Sequence, residues 1–181
     1  MRLRALRAEF GDRLRIEWRS FPLRPAPDPT VTFRGTFREK AWQRVQAQAI
    51  TDGIRYEPWS GEEFPTWSLP ALEAAKCAAL QGDDLFERLH LSLYEAFFTR
   101  GINIERPEEL VTIAEHAGCD MTRYQADLTS GHARALVLSD YESARAQHAV
   151  RAIPTVVING AQPLVGLHPL KAYRSALLNL S

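Results

Sequence analysis

The feature that most constrains the fold of this chain is a short β-type segment near its C-terminal end, which follows a long helical stretch. Residues 153–158 read Ile-Pro-Thr-Val-Val-Ile, and β-branched residues of this kind are typical of a strand. Asn159-Gly160 is a strong turn signal, and residues 163–167 can return as the partner strand. Pro169 then favours a final helix, whose apolar positions face one way: Leu170, Tyr173, Leu177 and Leu180. The sequence therefore predicts a β-hairpin followed by a helix.

Upstream, the patterns predict a helix, a strand and a second helix. Arg2–Phe10 has apolar residues at helical spacing. Residues 14–21 alternate between two faces, which predicts a strand with one side buried. Four prolines between positions 22 and 29 predict a loop, because proline cannot donate to a β-ladder. A helical pattern resumes after Thr36, a predicted N-cap, and runs to about residue 52.

The central part of the chain, residues 68–148, has repeated helical periodicity and predicts four or five helices. Ser68, Asp83 and Asp120 are predicted N-caps, and the predicted helix stops are Gly82, Gly101 and Gly118. The acidic pairs Glu62-Glu63, Asp83-Asp84 and Glu108-Glu109 are interpreted as carboxylates that favour helix N-termini. The element order is thus helix, strand, helices, hairpin, helix.

The charges of the chain exclude several classes of partner. Lysine and arginine total 22, as do aspartate and glutamate, so we expect neither nucleic acid nor an acidic membrane surface as a partner. No stretch approaches the length of a membrane span, and no secretory signal follows the basic start, so a cytoplasmic location is expected. The five histidines are scattered without metal-ligand spacing, so no metal site is expected. No cofactor is assigned to the chain.

The segment from Arg151 to Gly160, with Pro163 to Gly166 and the terminal helix, resembles the C-terminal half of a thioredoxin fold. Two further segments are similar to DsbA-like proteins of the FrnE-like branch. One is residues 13–23, which lie in the sequence DRLRIEWRSFPL that begins at Asp12, and the other is residues 93–120. The resemblance implies an α/β, thioredoxin-like fold with an all-helical insertion. It places the discontinuous thioredoxin-like domain at residues 1–67 and 149–181, and the insertion at 68–148.

One departure from the family bears on mechanism. The family carries its first β-strand and a Cys-x-x-Cys pair ahead of the helix that Arg2–Phe10 resembles, and this chain contains neither. Its two cysteines, Cys77 and Cys119, are too far apart in sequence for such a pair, and we expect both to be inert. The fold is therefore expected without its first strand, as a truncated product or with another strand in its place, and a homodimer is one way to supply that strand.

The resemblance also identifies the candidate site. In the family the proline equivalent to Pro154 follows a cis peptide bond, and the residue before it pairs its backbone with an extended polypeptide. Ile153, Pro154 and Thr155 are therefore the predicted substrate-binding residues, and no catalytic residue is assigned. The four tryptophans are interpreted mainly as core residues, although Trp59 and Trp67, in the connector before residue 68, could line a groove.

Three functions remain open from the sequence. The first is a thiol–disulfide oxidoreductase-like protein that is redox-inactive without the cysteine pair, with a polypeptide or small thiol as substrate. The second is a glutathione-dependent isomerase related to 2-hydroxychromene-2-carboxylate isomerase, since those enzymes resemble this chain in the helical insertion. The third is a non-catalytic module that binds extended peptides.

Overall fold

The computed structural model of the protein describes residues 1–179, and within that range the side chains of Gln48 and Thr51 lie outside the description. Eight α-helices and two short strands are present in the described residues: α1 Arg2–Phe10, α2 Phe37–Thr51, α3 Leu69–Ala79, α4 Asp83–Phe98, α5 Pro107–Ala117, α6 Met121–Thr129, α7 His132–His148, β1 Thr155–Val156, β2 Leu164–Val165 and α8 Leu170–Leu178. A single 3₁₀ turn, Gly11–Arg13, follows α1. The fold is mostly helical with a small sheet, which agrees with the expected α/β fold with a helical insertion.

Local signals in the sequence set the helix ends. The Thr36 side chain accepts a hydrogen bond from the backbone N–H of Arg38 at 3.2 Å, and so caps α2 as predicted. Asp120 caps α6 by accepting from the N–H groups of Thr122 and Arg123, at 2.9 and 3.1 Å. Gly118 ends α5 in the left-handed conformation, with φ of 86°, which glycine adopts without a steric penalty.

Two predicted caps are corrected by the structure. Helix α4 already includes Asp83, and Gly82 occupies the cap position, so Asp83 acts as a first-turn carboxylate and not as an N-cap. Ser68 stands at the cap position of α3 but makes no capping bond. Its hydroxyl instead accepts from the N–H of Arg24 and donates to the Arg24 carbonyl, both at 3.0 Å. The Ser68 hydroxyl therefore bonds the backbone of Arg24, 44 residues away in sequence, and does not cap α3.

The strand predicted over residues 14–21 is wrong, because within the described residues this segment forms no ladder with any strand. The backbone is nevertheless extended at its start, with φ −124° and ψ 109° at Leu14. The predicted faces are also present: Leu14, Ile16 and Trp18 are half-buried and Ser20 is buried, while the charged residues between them are exposed. Alternating burial needs only an extended chain against a core, whereas a strand also needs a neighbour to bond with.

The hairpin forms at the predicted place but with shorter strands. β1 and β2 pair antiparallel, with Thr155 opposite Val165 and Val156 opposite Leu164. The loop between them contains Asn159 and Gly160 at positive φ, 48° and 74°, as the Asn-Gly signal predicts. Helix α8 follows with Pro169 at its cap position and Tyr173 buried. Leu180, the last predicted apolar position of that helix, lies outside the described residues.

The contacts divide the chain into two compact units. The first unit combines Met1–Phe21 with Ser139–Ser181, and the second is Pro22–Leu138. The second unit holds a large apolar core, in which α3, α4, α5 and α6 bury mainly alanine and leucine side chains around Tyr124. It also holds a separate aromatic cluster built on three buried rings: Phe33, Trp42 and Trp59. The predicted division at residues 67/68 and 148/149 follows the family's architecture and stays a prediction.

No helix within the described range combines the length and the apolar character that crossing a bilayer would require.

Candidate functional site

The predicted substrate-binding segment lies at the surface of the first unit, directly before β1. Ala152, Ile153 and Pro154 are exposed, and the Ile153 side chain keeps 47% of its accessible surface although isoleucine is among the residues most often buried. The Ile153–Pro154 peptide bond is cis. Thr155 is half-buried and begins the strand. The predicted substrate-binding residues Ile153, Pro154 and Thr155 thus form one continuous and largely exposed segment.

Hydrogen bonds hold this segment on one side and leave it open on the other. The Pro154 carbonyl accepts from the N–H of Gly166 at 2.8 Å, and the Thr155 hydroxyl donates to the Ala152 carbonyl at 2.7 Å. Between these two anchors, the backbone N–H and C=O of Ile153 make no hydrogen bond to any residue in the range 1–179. In the same range, β1 pairs only with β2, so its other edge has no strand beside it. An extended chain could bond there.

Side chains of helices α8 and α1 hold the residues that follow β2 by hydrogen bonds. The buried Tyr173 hydroxyl accepts from the N–H of His168 at 3.3 Å and donates to the Gly166 carbonyl at 3.5 Å. Arg2 donates to the His168 carbonyl at 2.6 Å. The return strand is therefore anchored next to Gly166, the residue that bonds Pro154.

An ion pair joins the same two helices. Arg174 of α8 donates two hydrogen bonds of 2.7 Å to the Glu9 carboxylate of α1. This bidentate pair lowers the pKa of Glu9, chiefly through the hydrogen bond from Arg174. Because both side chains are partly exposed, we treat the pair as an orienting contact and assign no large stabilisation to it.

The two cysteines are placed for packing. Cys77 on α3 is fully buried in the apolar core, and Cys119 between α5 and α6 is 9% exposed. Burial raises the pKa of the Cys77 thiol to about 12, and burial also raises the pKa of Cys119, partly offset by the nearby Arg88. A thiol needs a lowered pKa and access to act as a nucleophile. The expectation that both are inert agrees with these surroundings.

A separate groove lies in the second unit, with a volume of about 670 Å³. Aromatic rings and carboxylates dominate its lining, in particular Phe33, Trp59, Phe64, Glu62, Glu63 and Glu105. The rings pack closely, with centroids 5.1 Å apart for Phe33 and Phe64 and 5.0 Å for Trp59 and Phe64. The volume is within the range of ligand-sized clefts, and the depression is open to solvent.

The two connector tryptophans have different roles. Trp59 lines the groove, as its place in the sequence indicated, and is also a member of the buried aromatic cluster. Trp67 is a packing residue, because its Nε1 donates to the Pro25 carbonyl at 2.8 Å and its ring lies 5.7 Å from the Arg134 guanidinium. Only the first therefore belongs to a candidate site.

Sequence reasoning misses most of the groove. It predicts Glu62 and Glu63 to be helix-dipole carboxylates, yet α3 begins only at Leu69, and the pair lies in the connector beside the groove. Asp83-Asp84 and Glu108-Glu109 do occupy the first turns of α4 and α5, as predicted. Glu105 gives no local signal, because its partners Thr66 and Trp67 are 39 and 38 residues away. Among the described residues, no three potential metal ligands cluster together.

Comparisons with known proteins place these features in a family. The sequence model of the DSBA-like thioredoxin domain matches residues 1–178. The crystal structure of a candidate protein disulfide isomerase from Nitrosomonas europaea superposes with a TM-score of 0.79 and 18% sequence identity, over 99% of this chain and 87% of that chain. No curated protein matches the chain in sequence. The structural likeness shows the fold, and the match over nearly the whole length shows that this chain belongs to the DSBA-like thioredoxin-domain family.

Proposed function

We propose that this chain is a polypeptide-binding member of the DsbA-type thiol–disulfide oxidoreductase family, of the FrnE-like kind, and that with its own two cysteines it carries out no thiol exchange. The observation that carries the proposal is the Ile153 segment: an exposed apolar side chain on backbone without hydrogen-bond partners in the described range, beside a strand with one open edge. Family membership supplies the chemical context.

The segment suits an extended polypeptide for physical reasons. A polypeptide that lies alongside Ile153 gains hydrogen bonds to the free N–H and C=O, in the manner of an added β-strand. The Ile153 side chain then buries its remaining apolar surface against the ligand. Because only 47% of that surface is still exposed, the contact contributes about half of the value for full burial, roughly 0.7–1.5 kcal/mol. The hydrogen bonds at Pro154 and Thr155 hold the backbone in place beforehand, so little conformational entropy is lost on binding.

The redox-inactive part of the proposal rests on the cysteines. In the family's chemistry a thiolate attacks a substrate disulfide, one S–S bond breaks and a mixed disulfide forms. The sequence contains only Cys77 and Cys119, and burial raises the pKa of both thiols. The same observation favours the non-catalytic peptide-binding alternative for this chain. The glutathione-dependent isomerase, the homodimer and the cytoplasmic location stay predictions.

Two measurements test the proposal together. The ligand is reduced, carboxymethylated α-lactalbumin, an unfolded polypeptide without thiols, and its binding is measured by fluorescence anisotropy. Ile153→Asp is expected to weaken binding by about tenfold or more, because it replaces an apolar contact by a charge. Leu178→Asp is the control, since Leu178 is also exposed, at 56%, and lies on α8 of the same unit.

The second measurement is reduction of insulin disulfides in the presence of dithiothreitol. The chain is expected to leave the reaction at its uncatalysed rate. If both aspartate variants bind lactalbumin equally well, Ile153 is not part of the binding site. If the chain accelerates insulin reduction, the claim that it carries out no thiol exchange is wrong.

A further inference from the structure

We propose that the Ile153 segment selects extended polypeptides in which acidic residues flank an apolar residue. The inference rests on the proposed function, because it takes the same segment as the binding site, and it adds the charge of the ligand. Three observations support it: an uneven division of charge between the two units, a long stretch around the segment without carboxylates, and two exposed cations that no carboxylate neutralises.

The first observation is that the balanced charge of the chain is not evenly distributed. The first unit, Met1–Phe21 with Ser139–Ser181, contains ten lysine and arginine residues and five aspartate and glutamate residues. The second unit, Pro22–Leu138, contains twelve and seventeen. With histidine counted as neutral, the units carry formal net charges of +5 and −5, and the proposed binding segment belongs to the basic unit.

The second observation is the position of the carboxylates within the basic unit. Residues 143–181 contain no aspartate or glutamate, and this stretch includes the Ile153 segment, the hairpin and α8. Three of the five carboxylates of the unit form ion pairs with arginines of the same unit: Glu9, Glu17 and Asp140. An acidic ligand at Ile153 therefore meets no like charge from the surrounding sequence.

The third observation is two exposed cations near the segment. Arg151 lies two positions before Ile153, so the Cα atoms of the two residues are within about 7 Å of each other. Lys171 lies in the first turn of α8, four positions after Leu167. Within residues 1–179 neither of the two side chains makes an ion pair or a hydrogen bond. Both charges are therefore available to a ligand.

An apolar surface lies between these two cations in the sequence. The antiparallel register of β1 and β2 continues through the hydrogen bond from the Gly166 N–H to the Pro154 carbonyl, and one step further it sets Leu167 opposite Ile153. Leu167 keeps 49% of its accessible surface and Ile153 keeps 47%. A ligand with an apolar centre and acidic flanks complements this arrangement of apolar residues and cations.

The backbone of Ile153 favours a polypeptide over a nucleic acid as the acidic ligand. Its N–H and C=O are both without a partner in the described range, and a polypeptide strand brings an acceptor for the first and a donor for the second. A phosphate backbone carries charge and acceptor oxygens but has no matching donor. Oligothymidylate therefore serves as the competing ligand in the test.

The test uses three rhodamine-labelled peptides with a common Val-Phe-Val centre and with aspartate, asparagine or lysine on both sides. Each is titrated with the full chain and followed by anisotropy. We expect the aspartate peptide to bind about tenfold more tightly than the lysine peptide in about 20 mM salt, with the asparagine peptide between them. In about 500 mM salt we expect the difference to shrink to about twofold, because exposed charges are screened.

Charge-reversal variants locate the effect. Arg151→Glu is expected to lower the aspartate-over-lysine preference about fivefold, and Lys171→Glu about threefold. Arg7→Glu is the control: Arg7 is exposed on α1 of the same unit, and among the described residues its side chain has neither an ion pair nor a hydrogen bond. It lies about 7.5 Å along the helix from Arg2, which bonds the His168 carbonyl next to β2, so we expect a change below about twofold.

Three results would overturn the inference: equal affinity for the aspartate and lysine peptides in low salt, equal effects of Arg151→Glu and Arg7→Glu, or tighter binding of oligothymidylate than of the aspartate peptide. Ile153→Ser separates the inference from the proposed function. It is expected to weaken all three peptides by a similar factor, about fivefold, and to keep their order. If Ile153→Ser leaves every peptide unchanged, the proposed binding site is wrong, whereas equal affinities that it still weakens count against the acidic preference alone.

Discussion

The buried carboxylate of Asp140 accepts a hydrogen bond of 2.9 Å from the backbone N–H of Ser20, a residue 120 positions earlier in the chain. Arg19 donates a second bond to the same carboxylate at 3.0 Å. Asp140 lies on α7 and is only 5% exposed. This contact attaches the end of the extended segment 14–21 to α7. The Asp140 carboxylate accepts the hydrogen bond of the Ser20 N–H, which in a β-sheet would go to a carbonyl of a neighbouring strand.

Replacing this carboxylate should destabilise the protein more than replacing its cationic partner. Asp140→Ala leaves the buried Ser20 N–H without an acceptor and is expected to lower the free energy of unfolding by about 2 kcal/mol. Arg19→Gln is expected to cost about 0–1 kcal/mol, because the Arg19 side chain is 58% exposed. Urea denaturation followed by circular dichroism measures both, and equal losses would contradict the role assigned to the Ser20 bond.

A second prediction concerns the tyrosine at the centre of the helical core. Tyr124 is fully buried, and its hydroxyl has no hydrogen-bond partner among the described residues. Tyr124→Phe keeps the ring and removes an unsatisfied polar group, so it is expected to raise the free energy of unfolding by about 1 kcal/mol.

Tyr173 provides the matched control for that substitution. It is also buried, at 3% exposed, but its hydroxyl bonds both His168 and Gly166. Tyr173→Phe is expected to lower the free energy of unfolding by about 1 kcal/mol. The two phenylalanine variants should therefore shift the thermal midpoint in opposite directions, and shifts of the same sign would show that the Tyr124 hydroxyl is satisfied.

A third prediction follows from the Cys77 thiol, whose pKa burial raises from 9.0 to about 12. The folded protein keeps this proton while the unfolded chain, with the ordinary value, releases it. The thiol's contribution to stability is therefore complete below pH 9 and is lost as the pH rises toward 12. The free energy of unfolding should fall across this window, and Cys77→Ala should make the fall shallower.

The same burial predicts slow thiol chemistry at neutral pH. Ellman's reagent is expected to react with the native chain only as fast as the chain opens, and quickly with both thiols in denaturant. Rapid labelling of native protein, or a Cys77→Ala variant with an unchanged pH slope, would mean that the thiols are accessible and that the account of the cysteines is wrong.

The parts of the fold that could be predicted from the sequence are those that neighbouring residues determine. Thr36 and Asp120 cap helices with bonds to residues two or three positions away, and Gly118 and Asn159-Gly160 adopt positive φ for local steric reasons. The five helices within residues 68–148 and the hairpin follow from such signals.

The parts that could not be predicted depend on residues far apart in sequence. The alternation of residues 14–21 indicates the correct buried face but not the missing ladder, because a partner strand is a property of the whole fold. The groove forms where residues 31–34, 59–66 and 103–105 meet, and none of these segments carries a motif for it. The candidate segment at Ile153 is predicted only through the family resemblance.

The most direct test of the central claim is site-specific photo-crosslinking from position 153. The photoreactive variant Ile153→p-benzoylphenylalanine is irradiated with reduced, carboxymethylated α-lactalbumin, and crosslinked peptides are mapped by mass spectrometry. The matched variant places the same group at Leu178, an exposed residue of the same unit. Our account predicts abundant lactalbumin crosslinks from position 153 and only background from position 178. Background from position 153, or equal yields from both positions, would contradict it.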